Sequence, residues 1–214
     1  MMKLFWSDVL SPRKACAVAK YLESPVEYAY LDLGRGENKT PEYLALNPNG
    51  KVPTLVDGAR SLWEADAIMC HLAARCDSDL WPQDARQIDV LRWLSWDLAN
   101  FYPAGGALYF EYVVKPRFKL GDADPAEVAR ATGDWRRLAT ILDGHLHERR
   151  WLVGDSITVA DFALAITLPY AERAHIPVHD FPALRRWHDR RQDGVHHAGF
   201  APCLDHHRFR RAAQ

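Results

Sequence analysis

Asn47-Pro48-Asn49-Gly50-Lys51-Val52-Pro53-Thr54-Leu55 is the stretch on which the reading of this chain turns. Its first four residues are turn formers, each fitted to bending the backbone. Behind them, Val52 to Gly58 reads as a strand ending in a tight turn, with Ser61-Leu62-Trp63 as its short partner. Upstream, Pro41 to Leu46 fits one or two helical turns, and Gly34 to Lys39 is a loop. Val26 to Leu33 is rich in β-branched and aromatic residues and reads as a strand, as does the short apolar run Lys3 to Trp6. Between those strands, Ser11-Pro12 opens a helical pattern through Ala15, Cys16, Ala19 and Leu22, with Ser as the cap and Pro at the first helical position. Downstream, Glu64 to Arg75 sets Ala65, Ile68, Met69, Leu72 and Ala73 on one helical stripe.

The resulting order, β-α-β-α-β-β-α with a right-handed first crossover, is the thioredoxin topology. Asp79 to Asp84 starts no element, and from Gln87 the strand signals stop. Ile88, Leu91, Leu94, Trp96, Leu98 and Phe101 begin a long helical pattern that Pro103-Ala104-Gly105-Gly106 is expected to kink or break. Ala126 to Arg150 is a second long helix, Phe162 to Leu168 a third apolar run, and Phe181-Pro182-Ala183-Leu184 opens a last helix through Trp187 and Asp189. The fold class expected is an α/β thioredoxin-like N-terminal domain, residues 1–78, a linker, 79–86, and an all-α helical-bundle domain, 87–214.

Composition narrows the function. The chain has 214 residues and a formal net charge of −1, which excludes nucleic-acid binding driven by bulk charge. No apolar run is long enough to span a membrane, and the N-terminus lacks the apolar core of a secretory signal. Cys16, Cys70, Cys76 and Cys203 form no CxxC pair, so reduced thiols in the cytoplasm are expected. The last thirty residues are basic, with seven Lys/Arg against three Asp/Glu, and contain His196-His197, Cys203, Asp205 and His206-His207. Adjacent histidines point apart, so no metal site is expected there.

Four segments carry a resemblance. Residues 47–55 resemble the N-P-x-G-x-V-P-x-L segment of the soluble glutathione S-transferases. Glu37-Asn38-Lys39-Thr40-Pro41-Glu42-Tyr43-Leu44 is similar to the stretch before it in the phi and theta classes. Leu62-Trp63-Glu64-Ala65-Asp66-Ala67-Ile68 resembles L-x-E-S-x-A-I, and Gly154 to Asp161 resembles G-D-x-x-T-x-A-D. They occur in the family's order and at its spacings. The resemblance implies a glutathione transferase: glutathione as co-substrate, no permanently bound cofactor, a small hydrophobic electrophile, and a homodimer.

It also implies roles. A thiol reacts as its thiolate, so the site must favour the anion. Ser11, at the N-terminus of a helix where N–H groups and the dipole favour negative charge, is the candidate activator, with Ser7 as its rival. Cys16 would instead make a disulfide-exchanging enzyme, but it falls on the apolar side of its helix and reads as structural. Val52-Pro53 is expected to be cis, with the Val52 backbone offered to the cysteinyl unit of glutathione. Glu64 and the helix N-terminus at Ala65 face the γ-glutamyl group, with Ala65 standing where the family usually has Ser. Asn38, Lys39 and Lys51 complete the expected glutathione set. The electrophile pocket is expected between the regions, from Val9 and Leu10 on one side and Trp96, Asn100 and Tyr109 on the other. Pro53, Thr158 and Asp161 are structural, the last two as a capping box. The alternatives are a glutathione-dependent peroxidase or disulfide reductase on the same fold, and a non-catalytic binding protein.

Overall fold

Strand β1 (Met2–Trp6) has a partner on each side in the computed structural model, which describes residues 1–195. β2 (Val26–Tyr30) pairs with it in parallel, β3 (Thr54–Asp57) antiparallel, and β4 (Arg60–Trp63) completes the order β2-β1-β3-β4. The parallel pair is joined through helix α1 (Leu10–Tyr21); α2 (Pro41–Leu46) precedes β3 and α3 (Ala65–Arg75) follows β4. Leu4 lies opposite Leu55 in the register, and both are fully buried. The alternation of β1 turns Phe5 to the other face, where its ring meets Tyr43 of α2 edge-on at 5.6 Å. α1 and α3 pack on each other through small and aliphatic residues, Ala15, Val18 and Ala19 against a helix that buries Ile68, Met69, Leu72 and Ala73. These elements form one compact unit, Met1–Trp81, and residues Pro82–Asp193 form the other.

The second unit is helical. α4 (Arg86–Trp96), α5 (Tyr102–Tyr109) and α6 (Lys115–Phe118) follow one another through wide π turns at Asp97–Phe101 and Phe110–Val114. α7 (Pro125–Leu146), α8 (Val159–Leu164) and α9 (Pro182–Val195) complete it. α7 starts where Asp124 accepts the N–H of Ala126 at 2.9 Å, with Pro125 in the first turn. Its Trp135 is fully buried between Phe101 and Phe181, at ring separations of 5.7 and 5.5 Å. No helix among the described residues is long and apolar enough to cross a membrane.

Three local expectations are corrected. α1 begins at Leu10 with Val9 as its cap, so Ser11 is the second helical residue rather than the cap. A proline tolerates any place in a first turn, whose N–H groups have no helical acceptor, and burial of Leu10 extends the helix backward. The segment Pro103–Gly106 does not break its helix, because the π turn just before it accommodates a residue that has no N–H to donate. β2 ends at Tyr30 rather than Leu33, because Asp32 caps a short 3₁₀ turn by accepting from Gly34 and Arg35. The histidines 196, 197, 206 and 207, with Cys203 and Asp205, lie outside the described residues.

Candidate functional site

The loop between α2 and β3 is fixed from beneath by three side chains. The Tyr43 hydroxyl donates to the Lys51 carbonyl at 2.6 Å, and Asn47 Nδ2 donates to the same carbonyl at 2.8 Å. Thr54 Oγ1 lies 2.8 Å from the Tyr43 hydroxyl and accepts from Asn47 Nδ2 at 3.0 Å. Tyr43, Asn47 and Thr54 are buried, and burial pushes the Tyr43 phenol above its ordinary pKa, so it stays a neutral donor. The Val52-Pro53 peptide is cis, as expected. Asn38 Nδ2 donates to the Gly50 carbonyl at 2.7 Å. Gly50 has φ +58°, and a Cβ there would lie 2.7 Å from Lys39 Nζ, so the Lys39 ammonium closes over this turn. Asn38, Lys39, Lys51 and Val52 are therefore brought to one loop.

The sheet carries that loop to Glu64 and Ala65. The β3–β4 ladder ends at Thr54 opposite Trp63, so the chain enters it from Val52-Pro53 and leaves it into Glu64 and Ala65 at the same end. Glu64 is exposed and has φ +73°, a conformation rare for a residue with a side chain. This bend starts α3 directly behind the strand, with Ala65 and Asp66 as its first residues. Their N–H groups have no acceptor within the helix and face a region of positive helix-dipole potential.

The turn from β1 to α1 reaches the same end of the sheet, since Phe5 pairs with Thr54. Ser7 is 3% exposed there and its carbonyl accepts from Val9 at 2.9 Å. Ser11, one turn on, is part-exposed, as is Val9, whereas Leu10 is buried. Two charged residues of α1 that sequence reasoning left out are buried here. Arg13 meets Asp8 at 3.0 Å, and Lys14, 1% exposed, meets Asp66 at 3.3 Å. The sequence signal was present, as a basic pair set in an alanine-rich apolar stripe with acids at 8 and 66. Cys16 is buried on the same helix. Cys70 is raised to about 12 by burial and by the Asp66 charge, which keeps it a thiol.

Of the second unit's expected pocket residues, Trp96 stacks on Phe101 at 5.6 Å and Tyr109 is buried edge-on to Tyr170 at 4.9 Å. Asn100 lines a cleft of about 200 Å³ with Pro103, Ala104, Arg130, Asp134 and Leu138. Trp96 and Tyr109 are thus tied to aromatic neighbours, and Asn100 alone of the three lines this cleft. Asp161 is fully buried and accepts from Thr158 N–H at 2.9 Å, Thr158 Oγ1 at 3.1 Å, Leu152 N–H at 3.1 Å and Trp187 Nε1 at 2.9 Å. Such saturation marks a structural carboxyl rather than a reacting one. Among the described residues no cluster of three potential metal ligands occurs.

Comparison with known proteins agrees with this architecture. The glutathione S-transferase N-terminal domain family matches residues 5–74, and the glutathione S-transferase C-terminal domain family matches residues 125–190. Glutathione S-transferase 3 of Zea mays is 36% identical over 157 residues, covering 71% of this chain and 68% of the maize protein. Disulfide-bond oxidoreductase YfcG of Escherichia coli strain K12 is 26% identical, with 89% of each chain covered. The crystal structure of glutathione transferase F7 from Populus trichocarpa superposes with a TM-score of 0.86 over 95% of this chain and 98% of that one, at 21% identity, which shows the fold. The chain belongs to the glutathione S-transferase family.

Proposed function

We propose that this chain is a glutathione transferase that favours the thiolate of glutathione and directs it at a small hydrophobic electrophile. The observation that carries the reading is the gathering, at one end of one sheet, of the N-termini of α1 and α3 and the backbone of Val52. Val52 pairs with the cysteinyl unit as an added strand would. Glu64 and the first N–H groups of α3 take the γ-glutamyl end, while Asn38, Lys39 and Lys51 serve the glycyl end. Ser11 is part-exposed and Ser7 is buried, which supports Ser11 rather than its rival Ser7 as the donor to the sulfur. The thiol proton passes to solvent; the sulfur then bonds to the electrophilic carbon and the leaving group departs with its electron pair. Within the second unit, the residue we assign to the electrophile is Asn100, which lines the cleft there.

No permanently bound cofactor is needed for this chemistry. A cytoplasmic setting is supported by free cysteines at 16, 70 and 76. A homodimer is supported by Ile88 and Leu91 of α4 and Leu98 of the π turn that follows it, exposed at 67%, 48% and 48%.

A second reading, a glutathione-dependent disulfide reductase or peroxidase, is favoured by the likeness to an oxidoreductase. Cys16 is buried, Cys70 is raised, and the exposed Cys76 stands at the far end of α3 from Ala65, which supports the thiol of glutathione itself as the reacting group in such chemistry. Retention on immobilised glutathione, followed by a conjugation assay with a halonitroaromatic and a disulfide-reduction assay, separates the readings. Retention with conjugation supports the first, and retention with reduction alone supports the second. Failure to bind glutathione at millimolar concentration contradicts both and leaves a non-catalytic binding protein.

A further inference from the structure

Lys115-Pro116-Arg117-Phe118-Lys119-Leu120 sets three cations and two large apolar side chains within six residues, and the function above uses none of them. Pro116 to Gly121 is exposed throughout. The turn is nevertheless firmly built. Lys119 adopts φ +55°, which leads the chain out of α6, and the Leu120 N–H donates to the Lys115 carbonyl at 3.0 Å. Beneath it, the buried Glu111 carboxylate accepts from Lys115 Nζ at 2.6 Å and from the Asp124 N–H at 2.7 Å, which ties the two limbs of the turn together. Phe118 and Leu120 are thus held out at 53% and 56% exposure. Phe110 joins them at 43%. Two α turns cover about seven residues and the π turn at Phe110–Val114 adds one, so Phe110 and Phe118, eight positions apart, fall on one side of the helix.

Charge decides what such a tip fits. Glu111 is engaged by Lys115, and the Asp124 carboxylate accepts from the Ala126 N–H at 2.9 Å. That leaves Asp122 to set against Arg117 and Lys119, so the exposed tip is net positive. The Arg117 guanidinium lies 5.2 Å from the Phe118 ring, which presents cation and ring together. A ridge of rings and aliphatic groups set between cations complements a deformable apolar surface with negative groups at its rim. We propose that this tip docks the protein on anionic lipid surfaces. Phe110, Phe118 and Leu120 enter the boundary between headgroups and acyl chains, while Arg117 and Lys119 meet the lipid phosphates and carboxylates. The contact is peripheral and spans nothing. The whole chain has a formal net charge of −1, so the attraction is local to the tip. Each Lys or Arg near such a surface is worth about five-fold in partition, too little alone, so the apolar side chains are required as well. The inference is independent of the glutathione reading.

The test is co-sedimentation of the full chain with vesicles of phosphatidylcholine alone and of phosphatidylcholine with roughly a third phosphatidylserine. The wild type is expected to partition onto the anionic vesicles at least about ten-fold better than onto the neutral ones, and to be released by about 0.5 M salt. Arg117→Glu/Lys119→Glu is expected to lower partition onto anionic vesicles by about thirty-fold or more, and Phe118→Ser/Leu120→Ser by about ten-fold or more. All four positions are exposed, so both variants are expected to keep the wild-type thermal midpoint and the same retention on immobilised glutathione. Failure of the wild type to bind anionic vesicles, or equal binding to both kinds, overturns the inference. So does binding that survives both variants, the result expected if the basic residues after 195 carried the attraction. A wild type that ignores vesicles but loses self-association in Phe118→Ser/Leu120→Ser assigns the tip to a second copy of the chain, and overturns it too.

Discussion

Tyr43 donates its hydroxyl hydrogen to the carbonyl of Lys51 at 2.6 Å, so a helix of six residues holds the backbone just before Val52. The bond is buried and shared with Asn47, and together they leave the loop little freedom. Tyr43→Phe removes the donor and keeps the ring against Phe5. It is expected to lower stability by about 1 kcal/mol and to weaken glutathione binding several-fold. Urea unfolding and calorimetric titration measure the two effects; an unchanged affinity would detach this loop from the ligand.

Asp161 joins four donors from three stretches of the second unit: Leu152, the start of α8, and Trp187 of α9. Asp161→Ala strands them all in a buried place. A loss of at least about 3 kcal/mol is expected, read as a fall in the thermal midpoint or as loss of soluble protein. A substitution tolerated within 1 kcal/mol of the wild type, on the order of a surface change, would contradict the structural role.

His145 lies 4.6 Å from the Trp93 ring and hydrogen-bonds the Leu152 carbonyl at 2.9 Å. Burial holds its pKa below the ordinary 6.5. The unfolded chain then binds more protons than the folded one just below that value, so this residue's contribution to stability is present above 6.5 and lost as the pH falls through the lower, folded value. His145→Gln is expected to flatten that part of the pH profile. Comparison of wild-type and variant unfolding free energies at neutral and mildly acidic pH gives the sign; parallel profiles would refute it.

Leu91 stands exposed between Ile88 and Leu98 on the proposed dimer face. Leu91→Arg sets a charge where apolar surface is to be covered. Sedimentation equilibrium is expected to show a dimer for the wild type and a monomer for the variant. A monomeric wild type would remove the proposal.

The fold was legible because strong local signals agreed with one another. The Asn47–Gly50 turn, the Pro41 helix start and the Thr158–Asp161 cap stand where the sequence puts them, and the strand after the turn starts at Thr54 rather than Val52. The start of α1 was misplaced because Ser-Pro reads locally as a cap, while burial of Leu10 and the freedom of proline within a first turn decided otherwise. A kink or break is expected at Pro103 because the π turn that carries the helix through it has no sequence period of its own. Within the site, residues adjacent in sequence were found and those joined only by packing were missed. Lys14 and Asp66 are fifty-two positions apart, and nothing in a linear pattern pairs a basic residue on one helix with the first turn of another. Tyr43, Asn47 and Thr54 were read as helix, turn and strand, and their shared hydrogen-bond network required coordinates.

The central claim is that this site favours the thiolate of bound glutathione through Ser11. The ultraviolet absorbance of the thiolate, titrated against pH in the complex, tests it directly. A free thiol of this kind titrates near 8.5, and the account predicts a bound value lower by about one unit or more, with Ser11→Ala returning it toward the free value and Ser7→Ala leaving it in place. A bound thiol that titrates like the free one, or a depressed value unchanged by Ser11→Ala, would contradict the account.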